Sequence, residues 1–308
     1  MWFNNLQLFR LTQPFNLSNE ELEKKLAAHA FQPCGSLQPS SYGWVPPLGR
    51  NGQTLTHCAN GAIMLCARKE EKILPASVIK EIVNEKAAAI EEEQGRAVRR
   101  KERQEMHDEV IFELLPKAFS RSNHTFAYLS PKENLIVVNA ASAKKAEELI
   151  SELRKALGSL PAVPPAITQA PASVMTEWLT GKACPTDVVI QDECELREPS
   201  EEGGIIRCKR QDLTSDEIQA HLSAGKHVVK LAIEWHEQLS CVIADDLSIK
   251  RLRFSDEILE QSDNIGAEDA AMAFDNDFTV MTLELSRFIP RLLELFGGED
   301  QTRYSAKI

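Results

Sequence analysis

Residues 227–254 read HVVKLAIEWHEQLSCVIADDLSIKRLRF. Side chains alternate between two faces of a strand. Over 227–235 this puts Val229, Leu231, Ile233 and Trp235 on an apolar face and turns Lys230 away from it. Apolar runs at 239–244 and 249–254 follow after short polar breaks, and the 227–244 pair reads as an antiparallel hairpin. On 249–254, Arg251 and Arg253 share one face, while Leu252 and Phe254 share the other with Lys250. A further run at 204–210 sets Arg207 and Lys209 opposite Ile206 and Cys208. If these strands are neighbours, one sheet face is apolar and the other carries Arg207, Lys209, Lys230, Arg251 and Arg253. Such a face suits a phosphate backbone, which cations bind without reading bases. It equally suits an ordinary solvated face, since Glu234 also lies beside Lys230.

Upstream, strands alternate with helices. Residues 6–12 read as a strand, and Ser18 with Glu21 forms a capping box for the helix after it. The segment 33–52 carries Pro and Gly throughout and reads as loop. Asn60-Gly61 marks a hairpin between 53–59 and 62–68, and a second hairpin brackets 131–134 between 124–130 and 135–139. Pro75 opens a long helical stretch over 76–113, which Gly95 can divide and Pro116 ends. Ser142 caps a helix that stops at Gly158. Thr214 and Glu217 suggest another capping box, for a helix over 215–224, and 255–297 reads as helical. The mixture gives an α+β class with several domains of mixed sheets and helices. Four prolines in 161–171 suggest a boundary. We divide the chain into an N-terminal α/β part, 1–74, a helical finger with a hairpin, 75–160, and a C-terminal α+β part with an acidic helical tail, 161–308.

The 308 residues carry a net charge of −11, which excludes a uniformly basic DNA binder. The acidity is concentrated, however: 254–300 holds twelve acids and two bases. We expect that stretch on the outside, leaving basic faces elsewhere. Arg96, Arg100 and Arg103 read as one stripe of the long helix, with Glu92 in pairing range of Arg96. Lys117, Phe119 and Arg121 alternate cation, aromatic, cation, a pattern that can clamp a backbone, stack on a base or anchor an interface. Lys144 and Lys145 occupy a first helical turn, where the helix dipole does not favour cations.

Signals for catalysis are lacking. There is no G-x-x-x-x-G-K-[ST], no G-x-S-x-G and no H-E-x-x-H. Asp275-Asn276-Asp277 lacks the Gly and terminal Glu of a calcium loop, and we read it as polar residues at a helix start. The seven cysteines contain no C-x-x-C and read as free thiols, with Cys194 structural. No metal, cofactor or catalytic residue is expected. No apolar run approaches membrane-spanning length, and the N-terminal 17 residues read as a first strand rather than a signal peptide.

Several long strings, in order, resemble one family: WFNNL at 2–6, YGWVPPLG at 42–49, LTHCANG at 55–61, ARKEEKILP at 67–75, LLPKAFSR at 114–121, ASAKKAEELI at 141–150, LRKALGSLP at 153–161, GGIIRCKRQDLTSDEI at 203–218 and IKRLRF at 249–254. The chain resembles the bacterial recombination-associated RdgC family over nearly its whole length. The resemblance implies a cytoplasmic, nucleoid-associated protein without enzymatic activity. It implies a ring-shaped homodimer with a basic central hole that binds single- and double-stranded DNA without sequence preference and restrains the RecA recombinase. It places Phe119 at the fingertip of the ring and Arg210 and Gln211 in a dimer contact. A different expectation is kept beside it: regulation by direct protein contact through the acidic C-terminal region.

Overall fold

A computed structural model describes residues 1–182, 184–200, 203–264, 266–267 and 269–305. The chain opens with strand β1 (Leu6–Leu11) and helix α1 (Asn19–Ala27). The Ser18 side chain accepts from the Glu21 amide and Glu21 reaches back, as the capping box predicts. Next comes strand β2 (Ser40–Val45), inside the segment read as loop. Gly43 permits it: a Cβ there would run into the Phe31 backbone, so a residue that looks like a strand breaker is the one the strand requires. Strands β3 (Thr56–Ala59) and β4 (Ala62–Lys72) form the hairpin around Asn60-Gly61, both with positive φ.

Helices α2 (Ala76–Gln94) and α3 (Arg100–Leu114) divide at Gly95, whose φ is +64°. They share a small core of Ile79, Val83, Ala87, Met106 and Val110. Strand β5 (Ser120–Ser130) returns along β4, from Lys72↔Ser120 to Ile63↔Leu129, so the helix pair stands at the far end of a long ribbon. Strand β6 (Leu135–Asn139) and helix α4 (Ala143–Leu157) follow, with Ser142 capping and Gly158 closing α4. The proline-rich segment contains strand β7 (Ala162–Val163), which pairs with β1, and ends where Pro171 opens helix α5 (Pro171–Leu179).

The C-terminal strands are β8 (Val188–Arg197) and β9 (Ile205–Lys209), then, after helix α6 (Asp216–Ser223), β10 (His227–Trp235), β11 (Leu239–Ala244) and β12 (Ile249–Phe254). The cap at α6 differs from expectation. Ser215 holds the N-cap position, and the Thr214 hydroxyl donates to Asp212 instead. Helices α7 (Asp256–Asn264), α8 (Ala270–Leu295) and α9 (Thr302–Ser305) complete the described chain. Within the predicted helical tail, residues 265 and 268 lie outside the described residues, as does Lys307 beyond it.

Among the described residues the strands form one sheet, in the order β2-β4-β5-β6-β1-β12-β11-β10-β8-β9, with β3 added on β4 and β7 on β1, and every pairing antiparallel. The class is α+β. The two halves meet at a narrow seam, where β1 and β12 share the single register pair Leu6↔Ile249. One face of the sheet is apolar across both halves. Met64 and Tyr128 of the first half and Leu231, Ile243 and Leu252 of the second join one core with Phe278, Met281, Leu285 and Phe288 of α8. On the other face, α1 and α4 cover only the first half, through Leu22, Leu26, Leu149 and Leu153 against Phe9, Leu65, Leu129 and Ile136.

The acidic stretch is therefore not an external tail. Its longest helix is central to the core, and several of its acids are tied down. Asp277 pairs with the Met1 amino group and accepts from Ser262, Asp275 meets His57 at 2.9 Å, and Glu284 is buried beside Arg287. Asp275-Asn276-Asp277 lies inside α8, not at its start.

Arg291 of α8 bonds Asp187 at 2.8 and 3.0 Å, and the Trp235 indole donates to the same carboxylate. The Arg291 bonds, with help from Trp235 and against some burial, hold the Asp187 carboxyl down to about 2 from an ordinary 3.8. A depressed carboxyl stabilises the fold above its unfolded pKa and loses that contribution as pH falls through the folded one. Asp187→Asn is expected to cost about 2 kcal/mol at pH 7 and only about 0.4 kcal/mol near pH 2, measured as denaturation midpoints at both pH values.

Candidate nucleic-acid interface

The half of the sheet left uncovered is β12-β11-β10-β8-β9, on the face away from α8. Strand β8 sits between β10 and β9, so the expected neighbours Lys230 and Arg207 are instead separated by Glu195: Lys230↔Glu195 and Glu195↔Arg207 are register pairs. The same holds one step on, where Glu193 faces Lys209. Strand β12 lies beyond β11, with Ser240↔Arg253 and Val242↔Lys250.

The register changes one assignment. Arg251 has φ +52° and sits at a bulge between those two pairs. A bulge inserts one residue and shifts the alternation after it. Lys250 and Arg253 therefore both stand on the polar face, rather than Lys250 with Leu252 and Phe254, and Arg251 projects from the bulge. The Asn5 side chain fills the bulge, its Oδ1 accepting from the Arg251 amide at 3.2 Å, while the Leu252 amide donates to the Asn4 carbonyl.

All five sheet cations expected together, Arg207, Lys209, Lys230, Arg251 and Arg253, are thus on this half-sheet, and Lys250 joins them. Asn5, Glu193, Glu195, Arg207, Lys209, Lys230, Lys250 and Arg251 line a depression of about 350 Å³. Two carboxylates lie within it. Glu195, 5% exposed, accepts from Arg207 Nε and Lys230 Nζ, each at 2.9 Å, and lies 3.4 Å from Arg197 Nη2. Burial alone raises its carboxyl pKa, but the bonds from Lys230 and Arg207 outweigh it and hold the group at about 2. Glu193 meets Arg251 at 2.6 Å, and that bond, with Lys209 and Lys230 nearby, lowers its pKa. Glu234 is bonded by Gln191 at 3.1 Å. Lys250 and Arg253 have no ion pair among the described residues.

Lys144 and Lys145 are in the first turn of α4 and do not line the depression. The Ala140 amide donates to the Asn5 carbonyl, and α4 starts three residues on, with Lys145 N capped by Ser142. The finger cations are elsewhere and do not form the expected stripe. Arg96 lies in the connector after Gly95, not on a helix, and pairs with Glu102 at 2.7 Å rather than with Glu92. The Arg96 bond lowers the Glu102 carboxyl to about 2. Arg100 and Arg103 are exposed on α3, Arg103 bonding Asn84.

Lys117 is in a 3-10 turn and Arg121 is the second residue of β5, 3.7 Å from Glu71. Between them Phe119 is 85% exposed, its carbonyl accepting from Ile73 at the end of the long ribbon. Arg210, with φ +54°, follows β9. Gln211 bonds Glu217 at 2.8 Å and lines a separate depression of about 530 Å³ with Trp178, Asp192 and Leu213. Among the described residues no group of three or more His, Cys, Asp or Glu side chains is placed to hold a metal ion. No helix there is long and apolar enough to cross a membrane.

Sequence reasoning missed Lys250, Asn5, Glu193 and Glu195 as members of the face. Alternation over 188–197 (VVIQDECELR) carried the signal for the carboxylates, because Glu193 and Glu195 share a face opposite Cys194 and Leu196.

Comparison with known proteins covers nearly the whole chain. Residues 1–299 match the family described as "Putative exonuclease, RdgC". A protein of Aeromonas hydrophila is 54% identical over 302 residues, 98% of this chain and all of its own. One of Tolumonas auensis is 51% identical over 299 residues, and one of Edwardsiella ictaluri 49% over 299, each alignment covering 97% of this chain and 99% of the relative. All three carry the name "Recombination-associated protein RdgC". By a match that spans nearly its whole length, the chain belongs to the RdgC family.

Proposed function

We propose that the chain binds single- and double-stranded DNA of any sequence through the uncovered cationic half-sheet, and that it serves in recombination, as its relatives' name says of them. The observation that carries this reading is the gathering of Arg207, Lys209, Lys230, Lys250, Arg251 and Arg253 on one rigid, uncovered face. Cations on a sheet meet phosphates by charge and release counterions, with no contact that distinguishes bases. The finer reading is a homodimer closed round the DNA, with Phe119 at one contact and Arg210 and Gln211 at the other. The exposure of Phe119 supports it, since a large aromatic in water gains most from an interface. Such a ring would restrain RecA by occupying the DNA, in the nucleoid.

Affinity is expected to be equal for unrelated sequences and to fall steeply with salt. Closed circles are expected to be retained over linear DNA when salt is raised. Binding that ignores salt or follows one short sequence would refute the reading. Phe119→Ala is expected to reduce circle retention with an unchanged melting temperature.

We also propose that the chain is not a nuclease. The family description makes the opposite reading worth a direct test. End-labelled DNA incubated with Mg²⁺ or Mn²⁺ is expected to stay intact, and a protein-dependent cleavage product would overturn this part.

A further inference from the structure

A face that only had to hold phosphate would gain from cations alone, yet this one keeps two carboxylates in its middle. Neither is incidental to the strand. Glu195 is nearly buried, takes Arg207 and Lys230 at 2.9 Å and stays ionised far below neutrality. Glu193 takes Arg251 at 2.6 Å. Three of the six cations are therefore already engaged by anions of the protein. An approaching phosphate meets those cations only in competition with a fixed negative charge that also repels it.

We propose that Glu193 and Glu195 are affinity-limiting residues of the DNA face: built-in anions that hold Arg251, Arg207 and Lys230 against phosphate and so keep bound DNA releasable. Lys209, Lys250 and Arg253, which no carboxylate bonds directly, supply the standing attraction. The engaged three add to it only to the extent that phosphate outcompetes the carboxylates. This inference rests on the half-sheet being the DNA-binding face.

The near-isosteric changes Glu195→Gln and Glu193→Gln remove the charge, keep one oxygen acceptor for the cations and turn the other oxygen into an amide NH2. Each is expected to tighten binding of a random-sequence duplex by about fivefold to tenfold at ~0.15 M salt, read by fluorescence anisotropy. The plot of log affinity against log salt is expected to steepen by about one for Glu193→Gln and by up to about two for Glu195→Gln, which frees two of the six cations of the face. Unchanged or weaker binding by folded variants would overturn the inference, because the carboxylates would then serve to hold the cations in place.

Glu193 is the more exposed of the two, so its variant keeps the test decisive if Glu195→Gln fails to fold. Lys250→Glu is run beside them. If Lys250→Glu weakens binding but the Gln variants do not tighten it, the inference alone fails. If all three bind as the native protein does, the assignment of DNA to this face fails as well.

Discussion

Replacing Lys209, Lys250 and Arg253 together with alanine is expected to weaken DNA binding by tenfold to a hundredfold at ~0.15 M salt, equally for every sequence tested. Each exposed cation contributes roughly 0.2–1 kcal/mol to an ion pair, and three such losses reach this range. The salt plot is expected to flatten by about 0.9 for each phosphate left without its cation. These three are chosen because no carboxylate bonds them directly, so their removal leaves no buried anion without a partner. Arg207 or Lys230 would be poorer choices, since deleting either strips a bond from the nearly buried Glu195 and confounds binding with stability. An unchanged slope in the triple variant would return this surface to the role of a solvated sheet face.

The second large effect concerns stability. Phe278→Ala is expected to cost about 3–5 kcal/mol in chemical denaturation, a large share of the ~5–15 kcal/mol typical of a folded protein. Phe278 has no exposed surface and packs against Tyr128 and His57, with ring centroids 6.1 and 6.0 Å apart. It comes from α8, but the rings it meets belong to β5 and β3. The loss should therefore loosen the first half of the sheet although the substitution lies in the last long helix. Phe274, one turn earlier and half-buried, is the internal comparison, and Phe274→Ala is expected to cost no more than half as much.

How far the sequence foretold this arrangement depended on whether a signal was local. The hairpin β10–β11, the turn at Asn60-Gly61 and the caps at Ser18 and Ser142 rest on alternation or on a side chain bonding its own backbone, and the structure has them where the residues put them. Strand β2 has the composition of a loop, and composition alone predicts one there. What makes it a strand is pairing with β4 and the need for Gly43 against Phe31, and both are contacts with distant residues.

The site was legible in the same uneven way. Alternation found Arg207, Lys209, Lys230 and Arg253 on one face. It misplaced Lys250, because the bulge at Arg251 is fixed by Asn5, more than two hundred residues away. It also gave no neighbour order, and the insertion of β8 between β10 and β9 is what brings Glu193 and Glu195 among the cations. The net charge of 254–300 misled for a related reason: charge counts do not say which side of a helix is buried, and α8 buries Phe278, Leu285 and Phe288 while its acids find partners.

The order in which the chain is synthesised gives the helix across both halves a further consequence. The strands of the first half and their cover by α1 and α4 are complete by about residue 163. Their second apolar face, with Met64 and Tyr128, waits for α8, which ends at Leu295. At a translation rate of ~5–20 residues per second, that face stays bare on the ribosome for on the order of ten seconds. A nascent chain of this protein is therefore a long-lived client for any factor that shields apolar surface, and conditions that slow translation of its last third lengthen the interval in which it can aggregate.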